Sequence, residues 1–309
     1  MLVTRGFAPR IDRPVALTIG NFDGVHKGHQ AMLARLVAAA RARDCGASVL
    51  TFEPHPRELF TPAAAPTRLT NLREKLELLG AYGVDRVHVQ RFSRGFAALS
   101  PQEFIRRILV DALRVRWLLV GDDFRFGAKR AGDTAMIARA GREHGFEVET
   151  MPSVNLDEVR VSSSAVRDSL ARGDLAHACA LLGRPYSISG RVVHGDKLGR
   201  QLGFATANVQ LKHNRPPLSG IFAVRVHGVS ERALHGVASL GVRPTVKSDG
   251  RATLEVHLFE YSGDLYRRHL RVDFIHKIRD EEAYPDLEAL KAQIARDCDA
   301  ARAALAATD

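Results

Sequence analysis

The chain has 309 residues with 45 Lys and Arg against 35 Asp and Glu, a formal charge of +10, and is long for one compact domain but ample for two. Its composition, 45% hydrophobic and 26% charged, excludes a fibrous or disordered protein, and no apolar run approaches the ~18 residues that would cross a bilayer. The basic residues are scattered, which suits small polyanionic substrates such as ATP as well as it suits nucleic acid.

The N-terminal stretch Met1-Leu2-Val3-Thr4-Arg5-Gly6 lacks the apolar core of a signal peptide, so a cytoplasmic protein is expected. Cys45, Cys179 and Cys298 are far apart and form no CxxC pair, which predicts buried or half-buried thiols rather than a disulfide framework or a zinc site. Val15-Ala16-Leu17-Thr18-Ile19 reads as a strand and Gln30 to Val37 as a helix, so Gly20-Asn21-Phe22-Asp23-Gly24-Val25-His26-Lys27-Gly28-His29 is the turn between them. Such a turn aims free backbone N–H groups and the positive end of a helix dipole at a ligand above the sheet. Gly20, Gly24 and Gly28 permit close approach, and His26 and His29 are expected on one face of the first helical turn, donating to phosphate oxygens.

Further along, Ala47 to Glu53 is a predicted strand, and Asn71 with Glu74 suggests a capped helix through Leu72, Leu76 and Leu79. Val87 to Phe92 is a strand, Ser100-Pro101-Gln102-Glu103 a helix start, Trp117 to Val120 a buried strand, Thr134 to His144 a helix and Phe146 to Glu149 a strand. Alternating strands and helices imply a mostly parallel sheet covered on both faces, with ligands beyond the carboxyl ends of its strands. Two more polar loops are expected at that edge. In Gly121-Asp122-Asp123-Phe124-Arg125-Phe126-Gly127 the two aromatics either wall a planar ligand or anchor the core. In Val161-Ser162-Ser163-Ser164-Ala165-Val166-Arg167 the hydroxyls either cap a helix or join Arg167 in holding a triphosphate.

A short helix from Asp174 to Leu182 stops at Gly183-Arg184-Pro185, where a domain boundary is expected, giving domains 1–184 and 185–309. Beyond it the apolar period becomes two, around Ile188, Phe222, Leu254 and Leu270, which predicts an antiparallel sheet or barrel. Leu287, Leu290, Ile294 and Cys298 are expected to form the packed face of a last helix.

Over nearly its whole length the chain resembles the bifunctional prokaryotic riboflavin kinase and FAD synthetase family. The matching stretches are Gly20 to His29, Gly121 to Gly127, Val161 to Arg167, Gly195 to Asn208, Leu254-Glu255-Val256-His257 and Gly263-Asp264-Leu265-Tyr266-Arg267. The resemblance implies an N-terminal Rossmann-like α/β nucleotidyltransferase domain, which adenylylates FMN, and a C-terminal antiparallel β-barrel riboflavin kinase domain with a terminal helix. It assigns His26, His29, Gly20, Asn21, Gly28, Ser163, Ser164 and Arg167 to the ATP phosphates. Asp23, Asp123, Phe124 and Arg125 go to the flavin substrate, Thr206 and Asn208 to phosphates and Mg²⁺, and Glu255 becomes the base that deprotonates the ribityl hydroxyl.

The implied ligands are ATP, riboflavin, FMN, FAD and Mg²⁺, with no nucleic-acid or membrane partner. Three residues depart from the family pattern: Ala205 stands for a proline, Ser239 for an asparagine and Arg267 for a glycine, the last expected to redirect the backbone. Two other readings remain: an FMN adenylyltransferase with a weakened kinase domain, and an RNA-binding protein, which the charge and the HxGH element suggest.

Overall fold

A computed structural model describes residues 1–7, 13–195, 203–212, 215–242 and 252–308. By contacts the chain divides into two compact units, Met1–Pro66 with Leu72–Ser162, and Thr67–Asn71 with Ser163–Asp309.

The first unit begins with β1 (Leu2–Arg5) and β2 (Val15–Ile19), then α1 (Lys27–Ala42), β3 (Gly46–Glu53), α2 (Pro56–Phe60), α3 (Leu72–Ala81) and β4 (Arg86–Arg91). There follow α4 (Arg94–Ala97), α5 (Pro101–Glu103) running into a π-helical stretch Phe104–Ala112, β5 (Val115–Gly121), α6 (Thr134–His144) and β6 (Glu147–Met151). A small antiparallel pair, β7 (Asn155–Leu156) and β8 (Val159–Arg160), completes it. The strand order is β1-β4-β3-β2-β5-β6 and every pairing is parallel, as the alternating pattern predicts. Alternation along β2 feeds two cores: Val15, Leu17 and Ile19 pack with Phe104, Leu118 and Ile137, while Ala16 packs with Leu33, Leu36 and Trp117 on the other face. The capping box at Ser100 forms: Ser100 Oγ accepts from the Glu103 N–H at 3.2 Å, and Glu103 Oε2 accepts from the Ser100 N–H at 2.8 Å.

The order in this sheet reverses at β2, which has β3 on one side and β5 on the other. Crevices open at the carboxyl ends of strands where such a reversal occurs. The Gly20–His29 turn leaves β2 at that edge, and the Gly121–Gly127 loop leaves β5 beside it.

The edge strand β1 rests on a buried histidine. His88 is fully buried in β4, its Nδ1 lies 2.8 Å from Thr4 Oγ1, and burial lowers its pKa to about 4. The unfolded chain takes up a proton near pH 6.5 and the folded chain only near 4, so stability falls as pH drops through that window. Between pH 7 and 4.5 His88 should cost about 2.5 kcal/mol, a loss absent in His88→Gln. Urea unfolding followed by the fluorescence of Trp117, the sole tryptophan, measures this directly, and equal pH slopes in both proteins would refute it.

The second unit opens with α7 (Ser163–Ala171) and α8 (Leu175–Leu182). Asp174 caps α8 by accepting from the His177 N–H at 2.9 Å, and Gly183 ends it at φ +70°. Both helices belong to the same compact unit as the C-terminal strands, so the units divide between Ser162 and Ser163, upstream of the composition change at Gly183 to Pro185. Then come β9 (Tyr186–Val193), β10 (Ala207–Val209), β11 (Gly220–His227), β12 (Leu234–Val242), β13 (Ala252–Leu258), β14 (His269–Arg279) and α9 (Leu287–Ala306). The strands close into an antiparallel barrel in the order β10-β13-β12-β11-β14-β9. Phe222, Val224, Leu254, Val256, Val272 and Phe274 are buried, with Phe222 meeting Phe274 edge-on at 5.1 Å.

Helix α9 covers Ala223, Val237 and Phe259 through Cys298, Ala301 and Leu305. The expected apolar face is therefore displaced toward the C-terminus: Leu287 is 54% exposed, and the buried stripe continues through Ala301 and Leu305. A two-pronged ion pair from Arg279 to buried Asp297, at 2.8 and 2.7 Å, fixes that register. As expected, all three cysteines are free thiols, Cys45 and Cys298 buried and Cys179 half-buried.

Candidate active sites

After β2 the backbone is held by the Gly20 N–H donating to the Leu50 carbonyl at 3.1 Å and Thr51 Oγ1 donating to the Asn21 carbonyl at 3.3 Å. It then passes through left-handed φ at Phe22 (+49°), Gly24 (+81°) and Val25 (+41°). Non-glycine residues in that region cost about 1–3 kcal/mol each and persist where surrounding packing enforces them. Here Phe22 and Val25 are both fully buried.

This path changes the expected role of His26. Rather than sharing the first helical turn with His29, it is the extended N-cap of α1, and its Nδ1 accepts from the His29 N–H at 3.4 Å. With Nδ1 accepting, the ring proton sits on Nε2, where it can be donated. The two imidazoles stack at 3.7 Å between centroids, and Phe22 backs His29 at 4.8 Å. Gly28 lies under this stack, since a Cβ there would be 3.2 Å from His26 Nδ1.

Burial, then the neighbouring His26 and Lys75, holds the His29 pKa well below its ordinary value, so the ring is neutral at pH 7. His29 Nδ1 and Asn21 Oδ1 are both buried with no hydrogen-bond partner among the described residues. Buried orphans cost about 1–3 kcal/mol each, and two in one turn point to a ligand that completes them. Asp23, 5% exposed, lies in the same turn.

In the loop after β5, Asp123 is bound by Arg160 at 2.7 Å and Arg125 faces Asp133 at 3.5 Å. Both aromatics of the loop belong to the core cluster, Phe124 at its margin. Phe126 is a core residue at 6% exposure, whereas half-buried Phe124 stacks on it at 5.5 Å. From Phe126 the ring contacts continue through Phe104, Phe96 and Phe92 to Phe60, which is 60% exposed. The sequence reading does not single out Phe60, because nothing local distinguishes an exposed phenylalanine from a core one.

Ser163, Ser164 and Arg167 fall in the second unit. Ser163 begins α7 half-buried, Ser164 is exposed, and Arg167 Nε donates to the Thr67 carbonyl at 2.5 Å. His26, His29, Asn21 and Asp23 thus come together in the first unit, and the serines with Arg167 in the second.

On the barrel, β13 pairs with β10 and β12 so that Asn208, Glu255 and Ser239 stand in one cross-strand row. Their neighbours Leu254 and Val256 are buried, which turns half-buried Glu255 to the outer face. Side chains directly opposite have Cβ atoms about 5 Å apart, so Asn208 and Ser239 flank the carboxylate. Thr206 lies just before β10. A Cβ at Gly195 would fall 2.3 Å from the Asn208 amide, so glycine is what admits that side chain.

Ser239, one of the departures, donates to Glu281 Oε1 at 2.9 Å. Arg267 holds φ +65°, in the left-handed region that glycine enters freely. Part of the Gly195 to Asn208 stretch quoted above, Asp196 to Leu202, lies outside the described residues. Among the described residues no cluster of His, Cys, Asp and Glu forms a metal cage. The Thr206 hydroxyl and the Asn208 amide oxygen are hard donors of the kind that suit Mg²⁺ shared with substrate phosphates.

Residues 8–165 match the family described as FAD synthetase, and residues 182–305 the family described as riboflavin kinase. Proteins named bifunctional riboflavin kinase/FMN adenylyltransferase are similar throughout. The one from Escherichia coli (strain K12) is 53% identical over 91% of this chain and 90% of its own. That from Pseudomonas fluorescens is 52% identical over 94% and 93%, and that from Haemophilus influenzae 46% over 98% and 99%. A solved structure described as a macrolide-efflux protein from Streptococcus pneumoniae is 28% identical, with a TM-score of 0.81 over 96% of this chain and 97% of that one. Among the described residues no helix is long and apolar enough to cross a membrane.

Proposed function

The chain belongs to the bifunctional riboflavin kinase/FMN adenylyltransferase family, and from that premise we propose which residues serve each reaction. It phosphorylates riboflavin to FMN with ATP and then joins FMN to the adenylyl group of ATP, releasing pyrophosphate and giving FAD. Neither the reading with a weakened kinase nor the RNA-binding reading is favoured by these relatives.

Adenylylation is assigned to residues 1–184 and takes place in the cytoplasm, where ATP is abundant. An FMN phosphate oxygen attacks the α-phosphorus, and the bond to the departing pyrophosphate breaks. The attacking group is already anionic, so no base is needed. What remains is alignment and charge stabilisation. Neutral His29 and the Nε2–H of His26 donate to the phosphate oxygens, with Gly20, Gly28 and Asn21 lining the turn. Ser163, Ser164 and Arg167, in the matching Val161 to Arg167 stretch, are assigned to ATP phosphate by the family resemblance. Asp23, Asp123, Phe124 and Arg125 position the flavin. The observation that carries this reading is the stacked pair His26–His29 with the buried orphan atoms His29 Nδ1 and Asn21 Oδ1.

Phosphorylation is assigned to residues 185–309. Glu255 takes the proton of the ribityl hydroxyl as that oxygen attacks the γ-phosphorus and ADP leaves. Thr206 and Asn208 would hold Mg²⁺ together with the ATP phosphates, and when bound the ion neutralises phosphate charge. Incubation with riboflavin, ATP and Mg²⁺ followed by separation of flavins should yield both FMN and FAD. FAD from supplied FMN, with no product from riboflavin, would refute the kinase half.

A further inference from the structure

The barrel strand carrying Glu255 also carries His257, two residues on and on the same outer face. Its ring has no part in the two reactions as assigned above. His257 Nδ1 lies 2.9 Å from the carbonyl oxygen of Ala205. A carbonyl only accepts, so Nδ1 carries the hydrogen and donates it.

The position of this bond gives it meaning. Strand β10 is only three residues long, and its pairing with β13 starts at Ala207 opposite Val256. One step earlier the chain leaves the ladder, and that step is Thr206. The His257 side chain captures the next carbonyl where the main-chain ladder has ended, so Thr206 is held from Ala205 on one side and from β10 on the other. The ring itself is fixed by Phe204 at 5.5 Å and Phe259 at 6.0 Å, both edge-on, and Arg302 of α9 lies over Phe259 at 4.4 Å. Ala205 leaves φ unrestrained where a proline would lock it, so this side-chain bond is what restrains the residue before Thr206.

We infer that His257 is a positioning residue for riboflavin phosphorylation, holding the Ala205–Thr206 turn so that the Thr206 hydroxyl meets the phosphates and their cation. The inference rests on the assignment of Thr206 made above. Both protonation states of the imidazole keep a hydrogen on Nδ1, so the bond survives acidification. Asparagine can place an N–H near the same point, whereas leucine fills the space without a donor.

The test compares His257→Leu, His257→Asn and Thr206→Ala in the full chain, each assayed for riboflavin phosphorylation and for FAD formation from supplied FMN. His257→Leu should lose about tenfold in kinase kcat/KM, the size of one lost neutral hydrogen bond, mainly through KM for MgATP. FAD formation from FMN should be unchanged, and His257→Asn should recover most of the loss. A leucine variant with wild-type kinase kinetics, or an asparagine variant as impaired as leucine, overturns the inference. A fully active Thr206→Ala enzyme would instead overturn the Thr206 assignment.

Discussion

Replacing His29 by alanine is expected to lower FAD formation from FMN and ATP by about 10²–10³-fold while conversion of riboflavin to FMN continues at the wild-type rate. The size follows from the role proposed for the imidazole in its turn, a preorganised donor toward charge that develops on the phosphorus and on the leaving pyrophosphate. Stacking on His26 and the packing of Phe22 behind it keep the ring aimed without reorganisation. Its pKa lies well below the ordinary histidine value because the ring is buried, and His26 and Lys75 add to the effect. The ring therefore stays neutral as pH falls through 6.5, and adenylylation should lose nothing there on account of His29. Parallel loss of FMN and FAD formation in the alanine variant would break the two-site assignment. A pH 6.5 transition in adenylylation that disappears in that variant would instead refute the neutral ring, since it would mean His29 is protonated where burial should keep it neutral.

The parts of the fold legible in the sequence were those whose hydrophobic period is undiluted. Strand β2 is a short apolar run buried throughout, β5 is buried along Trp117 to Val120, and α6 spans the residues that its Asp133 cap and Gly145 stop dictate. Strand β1 escaped because it is an edge with mostly exposed residues, held by pairing with β4 rather than by its own pattern. Strand β12 escaped because Gly236, Ser239 and Gly241 break the alternation. Two of these breaks have a local cause: a Cβ at Gly236 would meet the His257 carbonyl at 2.5 Å, and one at Gly241 would meet the Glu281 carboxylate. The candidate sites were legible as residue types at a strand edge, but not as geometry. That His26 is a cap rather than a helical residue depends on the left-handed backbone of Phe22 and Val25, which no local rule gives to a phenylalanine or a valine.

Glu255→Gln should reverse the pattern of the histidine variant, with riboflavin phosphorylation falling by about 10²–10⁴-fold and FAD formation from supplied FMN retained. A primary hydroxyl is a poor nucleophile until its proton is taken, and glutamine keeps the size and the oxygen of glutamate without its capacity to accept that proton. The sequence alone would make Glu255 a solvent-facing residue on an alternating strand. The barrel register sets it between Asn208 and Ser239, with Thr206 just before the start of β10. Those neighbours make the outer face of β13 a polar row beside the apolar patch under α9. The departure at Ser239 leaves this row polar, because its hydroxyl is tied to Glu281. Undiminished phosphorylation by the glutamine variant would remove Glu255 as the base. A loss confined to KM for riboflavin, with kcat intact, would make it a binding group instead.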